Sequence, residues 1–203
     1  KKGSKAWDYA MAYACKTGVQ ENIEYMISLG ATDWNFGLEK ACLGNQKSIV
    51  DYMIFKGAKD YNRGLEAACE GGHMDIALFM IFKGATCWNS ALEAACKGGQ
   101  YETAMFMITK GAKNWNYGLE AASQAGHTRL IELMISMGAT CIDSGLTLAC
   151  VSGNTNAIKT LISYGADPSR LVTYTRHQKE KLLCFYPNVS ETLLDYIIET
   201  SLK

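Results

Sequence analysis

Apolar side chains along this chain recur at helical spacing. Ile76, Met80 and Ile81, and later Leu130, Met134 and Ile135, follow the i, i+4, i+5 pattern that lays a stripe along one side of a helix. A stretch of different character precedes each stripe. It carries Gly64, Ala68 and Cys69, echoed as Gly37, Ala41 and Cys42, small residues that let helices approach closely. The two kinds of stretch are separated by Gly71-Gly72, repeated as Gly98-Gly99 and Ala125-Gly126, where glycine supplies the left-handed conformation of a helix C-cap and a tight turn. The pattern predicts helix, turn, helix, many times over.

The repetition has one period. Gly-Ala stands at Gly30-Ala31, Gly57-Ala58, Gly84-Ala85, Gly111-Ala112, Gly138-Ala139 and Gly165-Ala166, each 27 residues after the last. The same step relates Trp7, Trp34, Tyr61, Trp88, Trp115 and Ile142, and then Asp8, Asn35, Asn62, Asn89, Asn116 and Asp143. Asp or Asn next to the aromatic reads as the N-cap of the first helix, accepting from orphan N–H groups of its first turn. Glu39, Glu66, Glu93 and Glu120 then fall in that first turn, and Lys56, Lys83 and Lys110 in the last turn of the second helix, each favouring the adjacent pole of the helix dipole. Isoleucine recurs at Ile27, Ile54, Ile81, Ile108, Ile135 and Ile162. Its replacement by Ala in a middle unit is expected to cost about 2 to 5 kcal/mol. No pair of short helices buries enough surface alone, so the units must stack as a solenoid.

The expected organisation is a tail at residues 1–6, six repeats at 7–168 and a helical cap at 169–203. Both prolines, Pro168 and Pro187, lie where the period fails. There the sequence predicts a helix near Arg176 to Phe185, then the capping box Asn188-Val189-Ser190-Glu191 leading into Leu193 to Leu202. Leu194, Ile197 and Ile198 would cover the apolar face of the last unit.

Leu65-Glu66-Ala67-Ala68-Cys69-Glu70-Gly71-Gly72-His73-Met74-Asp75-Ile76, closing at Lys83-Gly84-Ala85, resembles the ankyrin repeat core of paired alanines, Gly-His, an apolar helix and a terminal Gly-Ala. The unit here is six residues shorter than the usual 33. Its opening, as in Asn62-Arg63-Gly64-Leu65-Glu66, replaces Thr-Pro-Leu-His, so the projecting β-hairpin finger is expected to be shortened or absent. The resemblance implies an all-α, ankyrin-like helix-turn-helix solenoid whose work is to hold another protein. The short unit opening with Trp-Asn, as in Trp115-Asn116-Tyr117-Gly118-Leu119-Glu120, is similar to the ankyrin-like multigene proteins of large DNA viruses, African swine fever virus among them. That likeness implies a protein of the infected cell's cytoplasm that binds host signalling or ubiquitin-pathway proteins and dampens innate immunity.

Composition removes several other classes. Twenty basic residues balance twenty acidic ones, so no net charge draws the chain to nucleic acid or an anionic membrane. The longest apolar run, Ile76 to Phe82, falls far short of the ~20 residues that span a bilayer. The N-terminal Lys1-Lys2-Gly3-Ser4 has neither an initiator Met nor a signal core and reads as the start of a fragment or trimmed chain. Of eight cysteines, Cys15, Cys42, Cys69, Cys96 and Cys150 share one repeat position, with Ser123 filling it once. Cys87 and Cys141 share another, in the connecting loop, and Cys184 lies near the end. Spread in this way they read as small core thiols of a reducing compartment, without disulfides or metal. His73 and His127 exchange with Gln46 and Gln100, so hydrogen bonding suffices there, and His177 is solitary. Gly71-Gly72 lacks the Lys-Ser/Thr of a phosphate loop. No catalytic residue, cofactor or metal is expected.

Positions that vary from unit to unit while their neighbours stay fixed are the ones stacking does not dictate. Just after each aromatic-Asx pair these are Tyr9, Phe36, Arg63, Ser90, Tyr117 and Ser144, and in the preceding loops Asp33, Lys59, Asp60, Lys113 and Asn114. In ankyrin-like proteins such positions line the concave face. Phe36, Arg63 and Tyr117 lead the candidates, because aromatics and Arg dominate binding hot spots, and Glu66, Glu93, Lys59 and Lys113 complete the set. The glutamates also read as dipole-compensating, and the tryptophans as packing between units. The expected function is a non-catalytic protein-binding scaffold; the alternative is a structural, self-assembling solenoid without a specific target.

Overall fold

In the computed structural model, residues 4–169 are described, together with 190, 192, 195–197 and 199. Among them the regular structure is entirely α-helical. First helices α1 (Ser4–Thr17), α3 (Trp34–Leu43), α5 (Tyr61–Gly71), α7 (Trp88–Gly98), α9 (Trp115–Ala125) and α11 (Ile142–Ser152) alternate with second helices. These are α2 (Gln20–Ser28), α4 (Lys47–Lys56), α6 (Met74–Phe82), α8 (Tyr101–Thr109), α10 (Thr128–Ser136) and α12 (Thr155–Ser163). The loops between one pair and the next carry no β-hairpin, as the shortened unit predicts.

The chain forms two compact bodies, residues 1–112 with α1 to α8 and 113–203 with α9 to α12. In the first body α1, α3, α5 and α7 pack successively side by side, and each also packs on its own second helix. In the second body α9 packs on α10 and α11, and α12 on α10 and α11. Of the terminal segment, Ile197 is buried and Ser190 Oγ lies 3.1 Å from Thr192 Oγ1. The expected helix at 176–185, Glu191, Leu194 and Ile198 lie outside the described residues.

Turn chemistry follows the pattern read from the sequence. Gly72 closes α5 with φ of 76°, in the left-handed region that favours glycine, and Asn45 takes the equivalent place with φ of 59°, the side chain that best tolerates it. Small residues inside the first helices serve close approach. A Cβ on Gly64 would stand 2.6 Å from Met80 Sδ and 3.4 Å from Cys42 Sγ.

Three expectations need correction. From α3 on, the first helices begin one residue before the Asn or Asp, at the aromatic or at Ile142, and Asp33 and Asp60 are the caps of α3 and α5, accepting from the backbone N–H groups of Phe36 and Arg63 at 3.0 and 3.1 Å. Asn35 Oδ1 instead reaches the next unit, accepting from the N–H of Lys59 at 2.8 Å and of Asp60 at 3.0 Å. Asp8 does the same for Thr32 and Asp33, Asn62 for Thr86, Asn116 for Thr140 and Cys141, and Asp143 for Asp167. With that earlier start, Glu39, Glu66, Glu93 and Glu120 leave the first turn, where the dipole argument applied. The recurrent isoleucines are only half-buried. From the second unit on, the residue one place earlier, Met53, Met80, Met107, Met134 or Leu161, is fully enclosed together with Ile49, Ile76, Ala104, Ile131 and Ile158. Because successive residues turn by about 100° around a helix, the buried stripe of α6 is Ile76, Ala77 and Met80, and Ile81 sits at its margin.

Met80→Ala should therefore cost about 2 to 5 kcal/mol and Ile81→Ala clearly less, read from urea denaturation midpoints; equal costs would refute the reassigned stripe. Asn35→Ala should cost about 1 kcal/mol, since two backbone donors lose their acceptor but remain near water, while Asn35→Asp, the residue found at positions 8 and 143, should retain most of the stability.

Candidate functional site

The first-helix face of the first body gathers several of the residues singled out by their variability. Tyr9 of α1 and Phe36 of α3 meet edge to face, ring centres 5.2 Å apart and planes at 80°, the geometry that aromatic quadrupoles prefer. Lys40, one turn along α3, brings Nζ to 5.2 Å from the centre of the Phe36 ring, within cation–π reach. The same ammonium donates to Glu39 Oε1 at 2.7 Å. On the neighbouring helix, the Arg63 guanidinium approaches Glu39 at 3.8 Å and Asp60 at 4.0 Å, too long for hydrogen bonds. Arg63 is 59% exposed, so its donors remain turned to solvent. Together Lys5, Asp8, Tyr9, Asp33, Phe36, Glu39 and Arg63 line an open groove of about 440 Å³.

A second groove of about 330 Å³ continues from Glu39 and Lys40 past Arg63 and Glu66 to Glu70 and Lys97. Lys97 Nζ pairs with Glu70 at 3.0 Å across neighbouring units. Glu66 is half-buried, and this burial is the main cause that lifts its carboxyl above the ordinary range; hydrogen bonds with Cys87 and Ser90 oppose the rise. Glu93 is exposed on α7, and Lys59 is exposed just before α5. Tyr117, 57% exposed, and Lys113 lie in the second body. There Ser144 Oγ donates to Glu120 at 2.6 Å, repeating on α9 and α11 a link between first-helix faces.

Of the predicted site residues, the structure thus brings Phe36, Arg63 and Glu66 onto adjoining grooves, with Glu93 and Lys59 at exposed positions of the same body. Lys40 and Lys97 escaped the sequence reading. Yet position 40 also varies with the unit, as Tyr13, Lys40, Ala67 and Ala94, so the same test could have found it. The tryptophans at 34, 88 and 115 are half-buried, and Lys56 Nζ stands 5.9 Å from the ring centre of Trp34.

The groups set aside as chemistry occupy structural places. Cys15, Cys42, Cys69, Cys96 and Cys150 are buried, and burial pushes each thiol up to about 12. Cys87 and Cys141 take the cap position held by Asp33 and Asp60, and each S–H donates to the carbonyl of the preceding unit's Asn, Asn62 or Asn116, at 3.3 Å. His73 Nε2 lies 3.1 Å from the carbonyl of Leu43, and Asn154 donates to that of Gln124 at 2.7 Å; Gln46 and Gln100 donate within their own turns. Among the described residues no three His, Cys, Asp or Glu side chains are grouped to hold a metal ion, and no helix is long and apolar enough to cross a membrane.

No protein-family model and no curated protein matches the sequence. Among solved structures the chain is similar to the ankyrin repeat domain of human ASB11, with a TM-score of 0.57 and 20% identity, over 92% of this chain and 96% of that one. The fold is of the ankyrin-repeat type, all-α and without hairpins among the described residues.

Two outcomes follow. Under native conditions at neutral pH, iodoacetamide should leave Cys15, Cys42, Cys69, Cys96 and Cys150 unmodified, by peptide mass mapping, and label them once the chain is unfolded, because the thiolate is the reactive form. Glu66 has its carboxyl raised in the fold, so its share of stability is complete below the unfolded carboxylate value and is lost as pH rises through the folded one. Glu66→Gln should accordingly raise the denaturation midpoint at neutral pH and make no difference well below the carboxylate range. A variant that gains nothing at neutral pH contradicts the raised value.

Proposed function

We propose that this protein is a non-catalytic scaffold that recognises another protein through its first-helix face. The observation that carries the reading is the convergence of Tyr9, Phe36 and Arg63 from the first helices of three successive units, α1, α3 and α5, on one open groove. Stacking leaves these positions free, and the side chains that fill them are of the kinds that anchor interfaces. The rings of Tyr9 and Phe36 offer an apolar patch already fixed by their mutual contact, so little side-chain entropy is lost on binding. Arg63, loosely held by Glu39 and Asp60, has guanidinium donors to offer a partner's carboxylate or carbonyls. Glu39, Glu66, Glu70 and Glu93 alternate with Lys40, Arg63 and Lys97, a mixed surface that selects for charge pattern. Tyr117 and Lys113 are included as recognition positions of the second body, from the same variability between units.

We further propose that the partner is a host signalling or ubiquitin-pathway protein, bound in the cytoplasm of an infected cell to suppress innate immunity. Support for this narrower reading comes from the resemblance of the 27-residue, Trp-Asn-opening unit to the ankyrin-like multigene proteins of large DNA viruses.

The test is affinity capture from lysate of a cell type the virus would infect, with the intact chain beside a Phe36→Ala/Arg63→Ala/Tyr117→Ala variant, and circular dichroism to confirm that both are folded. One partner retained by the intact chain and lost by the variant, with at least a tenfold weaker Kd on purified components, is expected. Undiminished capture by a folded variant would displace the site from this face. A captured partner outside signalling and ubiquitin pathways would remove the narrower reading and leave the scaffold standing.

A further inference from the structure

The opposite side of the first body, formed by its second helices, carries a feature that protein recognition by the first-helix face does not use. Phe55 and Phe82 occupy one repeat position at the C-terminal ends of α4 and α6 and are 83% and 81% exposed. The same position in other units holds Ser28, Thr109, Ser136 and Ser163, so stacking does not call for an aromatic there. At this position, two neighbouring units alone carry a ring.

The helices that carry these rings also carry a groove. Between α4 and α6, toward their N-terminal halves, Val50, Ile76 and Phe79 with Lys47, Asp51 and Asp75 enclose about 260 Å³, with an apolar floor. At 1.5 Å per residue, Phe55 stands roughly 7 Å along α4 from Val50, and Phe82 roughly 9 Å along α6 from Ile76. Projecting rings and a receptive groove therefore lie side by side on one face, displaced along the helix direction. Charge is displaced in the same sense. Exposed Asp51, Asp75 and Glu102 stand toward the N-terminal ends, and Lys56, Lys83 and Lys110 at the C-terminal ends. Lys47, paired with Asp75 at 2.7 Å, is the one basic group placed among the acidic ones. Compensation of the helix dipoles accounts for part of this segregation. It does not account for exposed phenylalanines.

A surface with a knob, a hole and opposite charges separated along one direction is complementary to a second copy turned by a half-turn about an axis that lies in the face, perpendicular to that direction. We propose that this face docks a second copy of the same chain in an antiparallel, two-fold dimer. Each copy's Phe55 and Phe82 enter the other's α4–α6 groove, and the lysine end of each faces the aspartate end of the other. Such an isologous contact closes on itself and does not propagate into a filament. The area offered by helices of ten and nine residues is small, which places the dimer among weak, concentration-dependent associations. It leaves the first-helix face free, so this inference does not depend on the proposed protein recognition.

Sedimentation equilibrium of the purified full chain, over a hundredfold concentration range at low salt, is the test. A monomer–dimer equilibrium is expected, weakened at least tenfold in Kd by Phe55→Ser/Phe82→Ser, whose fold is checked by circular dichroism. Charge reversal adds a readout that generic stickiness would not move. An acidic variant, Lys56→Glu/Lys83→Glu, and a basic one, Asp51→Lys/Asp75→Lys, should each dimerise poorly alone and pair with each other when mixed. The proposal is overturned if the wild type stays monomeric throughout, if the serine variant dimerises as well as the wild type, or if the oppositely charged variants ignore each other. It is equally overturned by a monomer that instead sediments with anionic phospholipid vesicles through the same rings and lysines.

Discussion

One hydrogen-bonding device recurs in both bodies: the Asp or Asn in the first turn of a first helix reaches forward to the backbone N–H groups that open the next unit. Asn35 holds Lys59 and Asp60, and Asp143 holds Asp167, each spanning 24 or 25 residues of sequence. Those donors lie in the short loop after a Gly-Ala, where no helix or strand would satisfy them. Once the previous unit supplies the acceptor, the loop needs no hairpin of its own to pair its backbone. This gives a physical reason for a 27-residue unit where the usual ankyrin repeat has 33. The bond also fixes where the loop sits on the preceding helix, and so where the next helix starts.

Close stacking follows from that tether and sets the composition of the core. First helices drawn together leave little room, and glycine lies where a Cβ would press on a neighbour: Gly64 is bounded by Met80 Sδ and Cys42 Sγ. Around these contacts the core is filled with methionine and cysteine, soft side chains that adapt to irregular gaps. Cys15 Sγ lies 3.8 Å from Met53 Sδ, a contact typical of such a sulfur-lined interior. The thiols are consequently protected from the chemistry that eight cysteines would otherwise invite. Their raised ionisation is a by-product of packing, and the serine at 123 shows the same small group put to other use, donating to the carbonyl of Leu119 at 2.6 Å.

The repeat, its helix pairs and the missing hairpin were legible in the sequence because each unit reports independently on one geometry. The phase of each helix was not. A methionine followed by an isoleucine looks like a stripe centred on the isoleucine, the residue that never varies, and only packing shows that Met80 is enclosed and Ile81 marginal. The Asn after the aromatic misled for a related reason. Asp and Asn are favoured as helix caps by the same acceptor chemistry that ties one unit to the next, and the residue type does not say which N–H it meets. The error moved the helix start and put the glutamates in a first turn they do not occupy. Phe36 and Arg63 were singled out by variability between units, a property of sequence alone. Of their neighbours, Lys97 is tied to Glu70 by a contact across units, which no single unit contains, whereas Lys40 meets the Phe36 ring one turn away on the same helix.

The repeat therefore divides its positions between two demands. Asx, Gly, Ala, Cys and Met places are set by how one unit meets the next, and substitutions there are felt as stability. The remaining surface positions are exempt from that demand, and on both helix faces of the first body they hold aromatic and charged residues in place of the small polar residues that would suffice for solubility. On the first-helix face the aromatic pair is braced by Lys40 and edged by Glu39 and Arg63. On the second-helix face the rings of Phe55 and Phe82 stand almost bare. A braced aromatic loses little freedom when a partner arrives, and a bare one gains more from leaving water. The first arrangement suits recognition of a specific shape, and the second suits contact with a surface equally apolar, which the α4–α6 groove of an identical chain would provide.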